Sequence, residues 1–227
     1  DPSVGVVPVP DERLGLLSIF SKSQKTVPAI VEFVDIAGLV KGAATGEGLG
    51  NQFLSHIREC DAILEVVRVF EDGDIIHVHN AVNPKNDIEI INLELSLADL
   101  TTVEKRLQNV SRDAKRGDKV AIFEEAVLQK ILPVLREGKL ASSVSLSPEE
   151  EEVLKSLHLL TKKPILYGLN KKSGDKEANV GETIAYIKSL GSDYVIVDAK
   201  TNEDVKEMEG SERQEFLKEL GADDGIN

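Results

Sequence analysis

The sequence predicts an α/β fold: a mostly parallel sheet with helices on both faces and an inserted antiparallel helical hairpin. Four short runs rich in Val and Ile, at 29–38, 62–70, 164–170 and 194–199, have the nearly continuous apolar character of strands buried in such a sheet. Helical stretches at 50–60 and 180–190 lie between them, which is the alternation of a helix-covered parallel sheet. Residues 88–160 break the rhythm with a long run of helical periodicity and no strand.

Taken in order, "DPSVGVVPVP" opens the chain as an apolar, proline-rich segment with neither a basic nor a long apolar leader region. "AIVEFVDIAG" (29–38) reads as a buried strand, and "GNQFLSHIREC" (50–60) as a helix. "AILEVVRVF" (62–70) is a second strand. Leu93, Leu97, Leu100, Val103, Leu107 and Val110 then recur at spacings of three and four, one apolar stripe on a helix about five turns long. Phe123, Val127, Ile131 and Leu135 form a second stripe beyond the polar turn "SRDAKRGDK". Two such helices bury their stripes against each other as a hairpin, or lie on the sheet as crossover helices. "SPEEEE" (147–152) starts another helix, with Ser147 as the cap, Pro148 in the first turn and acids favoured by the helix dipole. "PILYGLN" and "YVIVDA" supply the last two strands. The expected division is 1–87 and 161–227 as two parts of one α/β domain, with 88–160 as the helical insertion.

Bulk properties narrow the function. At 227 residues and 41% hydrophobic content the chain can bury a substantial core. Cys60 is its one cysteine, so an internal disulfide and a multi-thiolate metal site are both excluded. A formal charge of −13 argues against wrapping nucleic acid by bulk electrostatics. No run approaches a membrane span, and a cytoplasmic location is the expectation.

Chemistry concentrates at the end of the first predicted strand. Asp35, then Gly38, form D-x-x-G at the carboxyl end of a strand, where ligands of open α/β sheets bind. In P-loop NTPases such an Asp holds Mg²⁺, often through water, while the glycine amide meets the γ-phosphate. A plain strand-to-turn reading explains the four residues equally well. The glycines that follow, Gly42, Gly46, Gly48 and Gly50, favour a segment that moves, because holding so many rigid is entropically expensive.

"DIAGLVKGAATGEGLGNQFL", followed by "IIHV", "VNP" and "DIEIINLELSLADL", closely resembles the YchF or Obg-like ATPase family. This is a branch of the Obg group of translation-factor-class P-loop NTPases, and the resemblance spans nearly the whole chain. It implies a G-domain-like nucleotide-binding fold with a helical insertion, Mg²⁺-dependent triphosphate hydrolysis, a preference for ATP over GTP, and association with ribosomes, the large subunit in particular. The chain departs from the family pattern in three respects.

No G-x-x-x-x-G-K-[ST] phosphate loop occurs in it, and "VGVVPVPDERL" resembles the family segment just beyond that loop and its switch threonine. A carboxyl-terminal TGS-type domain is absent as well. The chain is therefore expected to be an interior portion of a longer protein, inactive by itself. At the base-reading position, guanine-specific GTPases carry N-K-x-D and this family N-x-x-E, whereas Asn170, Lys171 and Lys172 here lead to Ser173. A hydroxyl cannot supply the charge-assisted bidentate acceptance that favours guanine, so adenine is the better match. The resemblance places Ala199 and Lys200 on the second base-side loop. Finally, Leu39 stands where many GTPases have a water-orienting glutamine. The resemblance passes that role to His77, whose imidazole can orient or deprotonate water, although a histidine after a strand is more often structural.

Between Glu104 and Lys119 stand six basic residues, Lys105, Arg106, Arg112, Lys115, Arg116 and Lys119, against the acidic Glu104, Asp113 and Asp118. At the tip of a hairpin this cluster could meet ribosomal RNA phosphates, or simply be solvated. A GTPase of the Obg group and a non-catalytic ribosome- or RNA-binding adaptor remain the alternative functions.

Overall fold

The computed structural model describes residues 3–36, 49–70, 82–172, 180–205 and 208, with the side chains of 49–53 outside that description. The described residues fall into two units.

The first unit holds β1 (Ser3–Pro8), α1 (Glu12–Ser21) and β2 (Ile30–Asp35). β1 and β2 pair antiparallel from Ser3↔Asp35 to Pro8↔Ile30. Pro8 sits at the strand's end, where a missing N–H costs the ladder little. Asp11 caps α1 by accepting from the Arg13 N–H at 3.0 Å. The expectation of a buried strand at 29–38 is corrected here. Ile30, Val31 and Phe33 are all exposed, because within this unit β2 belongs to a two-stranded ladder rather than to a covered sheet.

The second unit is built on a parallel sheet of order β3–β4–β5, comprising Ile63–Arg68, Ile165–Asn170 and Asp193–Val197. Its register aligns Arg68 with Asn170 and Asn170 with Val197, so the three carboxyl ends finish together. β4 is central, and Tyr167 and Leu169 are completely buried in it. Val67, Ile88, Leu140, Ile165 and Ile187 complete that core. α2 (Leu49–Glu59) precedes β3, α6 (Val180–Ser189) links β4 to β5, and α7 (Ala199–Asp204) follows β5.

The crossover from β3 to β4 carries the helical pair α3 (Pro84–Ala114) and α4 (Lys119–Arg136), then α5 (Pro148–Lys155). Asn83 caps α3, with Pro84 in its first turn. At 31 residues α3 runs about 46 Å, since each residue rises about 1.5 Å. Gly117 takes φ 89° in the turn, a left-handed conformation open to glycine, and Asp118 caps α4 through the Val120 and Ala121 N–H groups. Ser147 and Glu150 cap α5 reciprocally as a capping box. Val103 and Val110 of α3 pack with Val127, Leu128, Ile131 and Leu135 of α4, and Leu154 and Leu159 close the cluster.

Two stripe positions are corrected. Leu93 is 44% exposed and Phe123 43% exposed. The inward face of α3 in its first half carries Ile88, Asn92, Leu95, Ser96 and Asp99 instead. These polar residues are buried because tertiary partners satisfy them. The Asn92 Nδ2 donates to the Tyr167 hydroxyl at 3.1 Å, and the Ser96 Oγ to the Lys139 carbonyl at 3.1 Å.

Candidate functional site

The aligned strand ends of the second unit form a shelf. The Val69 N–H donates to the Asn170 carbonyl at 3.0 Å, and the Lys171 N–H to the Val197 carbonyl at 2.8 Å. The Asn170 side chain then bridges to the first turn of α7, its Oδ1 accepting from the Ala199 N–H at 3.1 Å, so Ala199 and Lys200 open a helix where a loop was expected. Asp198 caps α7, Oδ1 taking the Thr201 N–H at 2.9 Å and Oδ2 the Thr201 hydroxyl at 2.8 Å.

This arrangement distributes the polar groups unevenly. The Asn170 Oδ1 and the Lys171 and Ala199 amides are engaged within the protein, whereas the Asn170 Nδ2 makes no hydrogen bond among the described residues. Lys171 and Ala199 are exposed. The Lys200 ammonium extends to Asp204 at 2.8 Å and Glu203 at 3.4 Å, and those carboxylates hold its pKa above the ordinary value. Ser173 lies outside the described residues.

Asp35 is the last residue of β2, with its side chain exposed. Gly50 stands in the first turn of α2. Gly38, Leu39, Gly42, Gly46, Gly48 and His77 lie outside the described residues.

Charge at the α3–α4 turn is less uniform than the sequence count implies. Arg106 makes a bidentate pair with Glu124, at 2.6 and 2.9 Å, and Arg116 pairs with Asp113 at 3.2 Å. Lys105, Arg112, Lys115 and Lys119 make no ion pair among the described residues, so they are the cations available to a partner.

A second polar cluster, not picked out in the sequence, joins α2 to the base of the helical pair. The Asp99 side chain is completely buried. Its Oδ1 accepts from the Leu160 N–H at 2.9 Å, and its Oδ2 from the Thr161 N–H at 2.8 Å and hydroxyl at 2.7 Å. Burial pushes the Asp99 pKa up, and the hydrogen bonds from Thr161 and Leu160, then the Arg58 charge, oppose it. Arg58 sits 3.6 Å from Oδ1. A carboxylate surrounded by donors in this way is a buried cap rather than an acid–base catalyst. A sequence signal existed only in its position, an aspartate at helical spacing from Ile88, Asn92 and Leu95.

Residues 17–105 match the family described as 50S ribosome-binding GTPase. Over 227 residues the chain is 50% identical to the ribosome-binding ATPase YchF of Bacillus subtilis, covering 97% of this chain and 62% of that protein. The chain belongs to the YchF, or Obg-like ATPase, family. The YchF protein of Escherichia coli O157:H7, also a ribosome-binding ATPase, is 47% identical over 230 residues, covering 100% of this chain and 63% of the relative. The solved structure of the Schizosaccharomyces pombe YchF GTPase superposes with a TM-score of 0.79 at 36% identity, covering 98% of this chain and 62% of that one. The chain thus spans somewhat less than two thirds of the YchF proteins it matches. These relatives are named variously as ATPase and GTPase.

Proposed function

We propose that the intact protein is a P-loop NTPase of the YchF type that binds and hydrolyses ATP in preference to GTP and associates with the ribosome, on its large subunit. The observation that carries this reading is the Asn170 bridge to Ala199, which ties two strand ends into one shelf for a purine. In this reading Nδ2 of Asn170 faces the base, Lys171, Ala199 and Lys200 line it, and Ser173 offers no carboxylate for guanine. The Gly38 amide meets the terminal phosphate, and Gly42, Gly46, Gly48 and Gly50 let the segment from the end of β2 into the first turn of α2 change conformation with the nucleotide. Leu39 cannot hydrogen-bond the attacking water, so that role passes to His77.

Asp35 fits Mg²⁺. An exposed carboxylate at a strand end is a hard oxygen donor, and Mg²⁺ characteristically takes one or two such ligands together with water and substrate phosphates. Among the described residues no group of three or more His, Cys, Asp or Glu could hold a metal by itself, in keeping with a metal that arrives with its nucleotide. When bound, the ion would neutralise charge developing on the phosphates.

Residues 88–160 act as the helical insertion between 1–87 and 161–227, and the unpaired Lys105, Arg112, Lys115 and Lys119, with Arg106 and Arg116 beside them, meet ribosomal RNA. Among the described residues no helix is long and apolar enough to cross a membrane, and the family's ribosome-binding names support action in the cytoplasm. The 227-residue chain alone, without a phosphate loop, is expected to be inactive. The test is Asp35→Asn in the intact protein, which should abolish most Mg²⁺-dependent hydrolysis while leaving the folded-state circular dichroism unchanged. Wild-type turnover in that variant would remove Asp35 from the metal site.

A further inference from the structure

The last turn of α2 is fastened to the helical pair by side chains from both sides. The Arg58 guanidinium donates to the Thr102 Oγ at 3.0 Å and to the His158 carbonyl at 3.1 Å, while lying 3.6 Å from the buried Asp99. In return the Lys163 ammonium donates to the Arg58 carbonyl at 3.0 Å and also to the Cys60 carbonyl, satisfying groups left open at the helix end.

His158 holds φ 46°, a left-handed backbone that costs a non-glycine residue on the order of 1 kcal/mol. Its carbonyl is one of the two neutral acceptors Arg58 uses. Behind Arg58 the polar chain continues without a gap. Asp99 binds Leu160 and Thr161, and the Thr161 Oγ accepts the Ala141 N–H at 3.1 Å, just beyond α4. A planar fork of donors is the side chain suited to this place, because three acceptors on two different elements can be met at once.

We infer that Arg58 is a positioning residue that makes α2 and the base of the α3–α4 pair move together, so that a displacement of α2 is carried into the helical pair. The coupling is local and discrete. It runs through Arg58 to Asp99 and Thr102 on α3, and through Asp99 to the 159–163 turn that precedes β4. That nucleotide drives the displacement rests on the function proposed above; the fastening itself does not.

The experiment is residue-resolved hydrogen exchange on the intact protein, with and without Mg²⁺ and a non-hydrolysable ATP analogue, and binding of the analogue measured separately by calorimetry. The reporters are the Leu160 and Thr161 amides, which donate to Asp99. In the wild type their exchange should change by about fivefold or more on nucleotide binding, the scale of a coupling of about 1 kcal/mol. In Arg58→Met the analogue should still bind and still alter α2, while the response at Leu160 and Thr161 falls to about none. Thr102→Val, which removes one of the guanidinium's partners and little volume, should give an intermediate response, and it decides the matter if Arg58→Met fails to fold. Exchange of the Val127 and Leu128 amides without nucleotide should be the same in all three proteins, which separates positioning from general loosening. An undiminished response in the variants, or a nucleotide-bound wild type whose Leu160 and Thr161 do not respond, overturns the inference. Absence of binding in the wild type overturns the nucleotide reading instead.

Discussion

Thr161 donates twice to the buried Asp99 carboxylate, through its N–H at 2.8 Å and its hydroxyl at 2.7 Å. The pair closes the polypeptide between the helical pair and the central strand β4, and Leu160 adds a third donor. Asp99→Asn keeps the shape but turns an amide N–H toward groups that are themselves donors. It should cost about 2 to 3 kcal/mol of stability, the scale of losing hydrogen bonds to a charged group and leaving a buried donor unpaired. Thr161→Ser should cost less, because it keeps both donors to Asp99 and the Oγ that accepts the Ala141 N–H, and loses only a methyl group. Urea denaturation of the two variants checks the order, and equal losses would contradict the pairing.

Glu65 gives the molecule a pH dependence. Its carboxyl lies on β3 opposite Tyr167 of β4, and Oε2 is sealed from solvent with no hydrogen-bond partner among the described residues. Burial, with Asp87 of α3 adding to it, pushes its pKa up to about 8 from 4.5, and Tyr167 of β4 and Tyr186 of α6 also lie close enough to feel its charge. Between those two values the folded state keeps a proton that the unfolded chain has lost. Stability should therefore fall as pH rises through this window, by up to about 1.4 kcal/mol per pH unit, and level off above it. Glu65→Gln should remove that slope and leave the variant more stable than wild type at pH 8. Denaturation midpoints at pH 5, 6, 7 and 8 read it directly, and parallel curves for the two proteins would show that the carboxyl is already ionised.

Much of this fold was legible in the sequence, and the exceptions have a common cause. β3, β4 and β5 follow the Val- and Ile-rich runs to within two residues, because a strand buried in a parallel sheet needs continuous apolar sequence. β1 was not legible, since "SVGVVP" is short, proline-flanked and exposed on pairing. α7 was not legible either, because "AKTNED" has little apolar periodicity and the helix starts from the Asp198 cap. The helical pair was readable, but its inward face was not. Asn92 and Asp99 are buried in preference to Leu93 because Tyr167 and Thr161, far away in sequence, satisfy them. The site follows the same rule. Asn170 was visible as a polar residue ending an apolar strand, while its bond to Ala199, 29 residues on, exists only once β4 and β5 are aligned.

The tip of the helical pair should act in ribosome binding and not in turnover. Reversing Lys115 and Lys119 together to Glu alters two cations that have no ion-pair partner among the described residues. Ribosome association of the intact protein should weaken, and the slope of log affinity against log salt should shrink by on the order of 1 to 2. Co-sedimentation across a salt series measures both. Unchanged binding would assign the tip to solvent.

Ser173 is where nucleotide choice can be altered by one residue. Ser173→Asp rebuilds N-K-x-D from Asn170 and Lys171. A carboxylate there should move preference toward GTP by about 2 to 4 kcal/mol, the scale of a pair of charge-assisted hydrogen bonds. Calorimetric titration with each nucleotide reads the change, and an unmoved ratio would mean that the loop does not face the base.

The ratio of dissociation constants for GTP and ATP, measured with Mg²⁺ on the intact wild-type protein, tests the central claim most directly. With Asn170 holding the shelf and no carboxylate at Ser173, ATP should bind at least as tightly as GTP. The discrimination should be less than about 100-fold, because neither purine leaves a buried charge unpaired. GTP binding the more tightly would contradict the account, and binding of neither nucleotide would leave the ribosome-binding adaptor as the function.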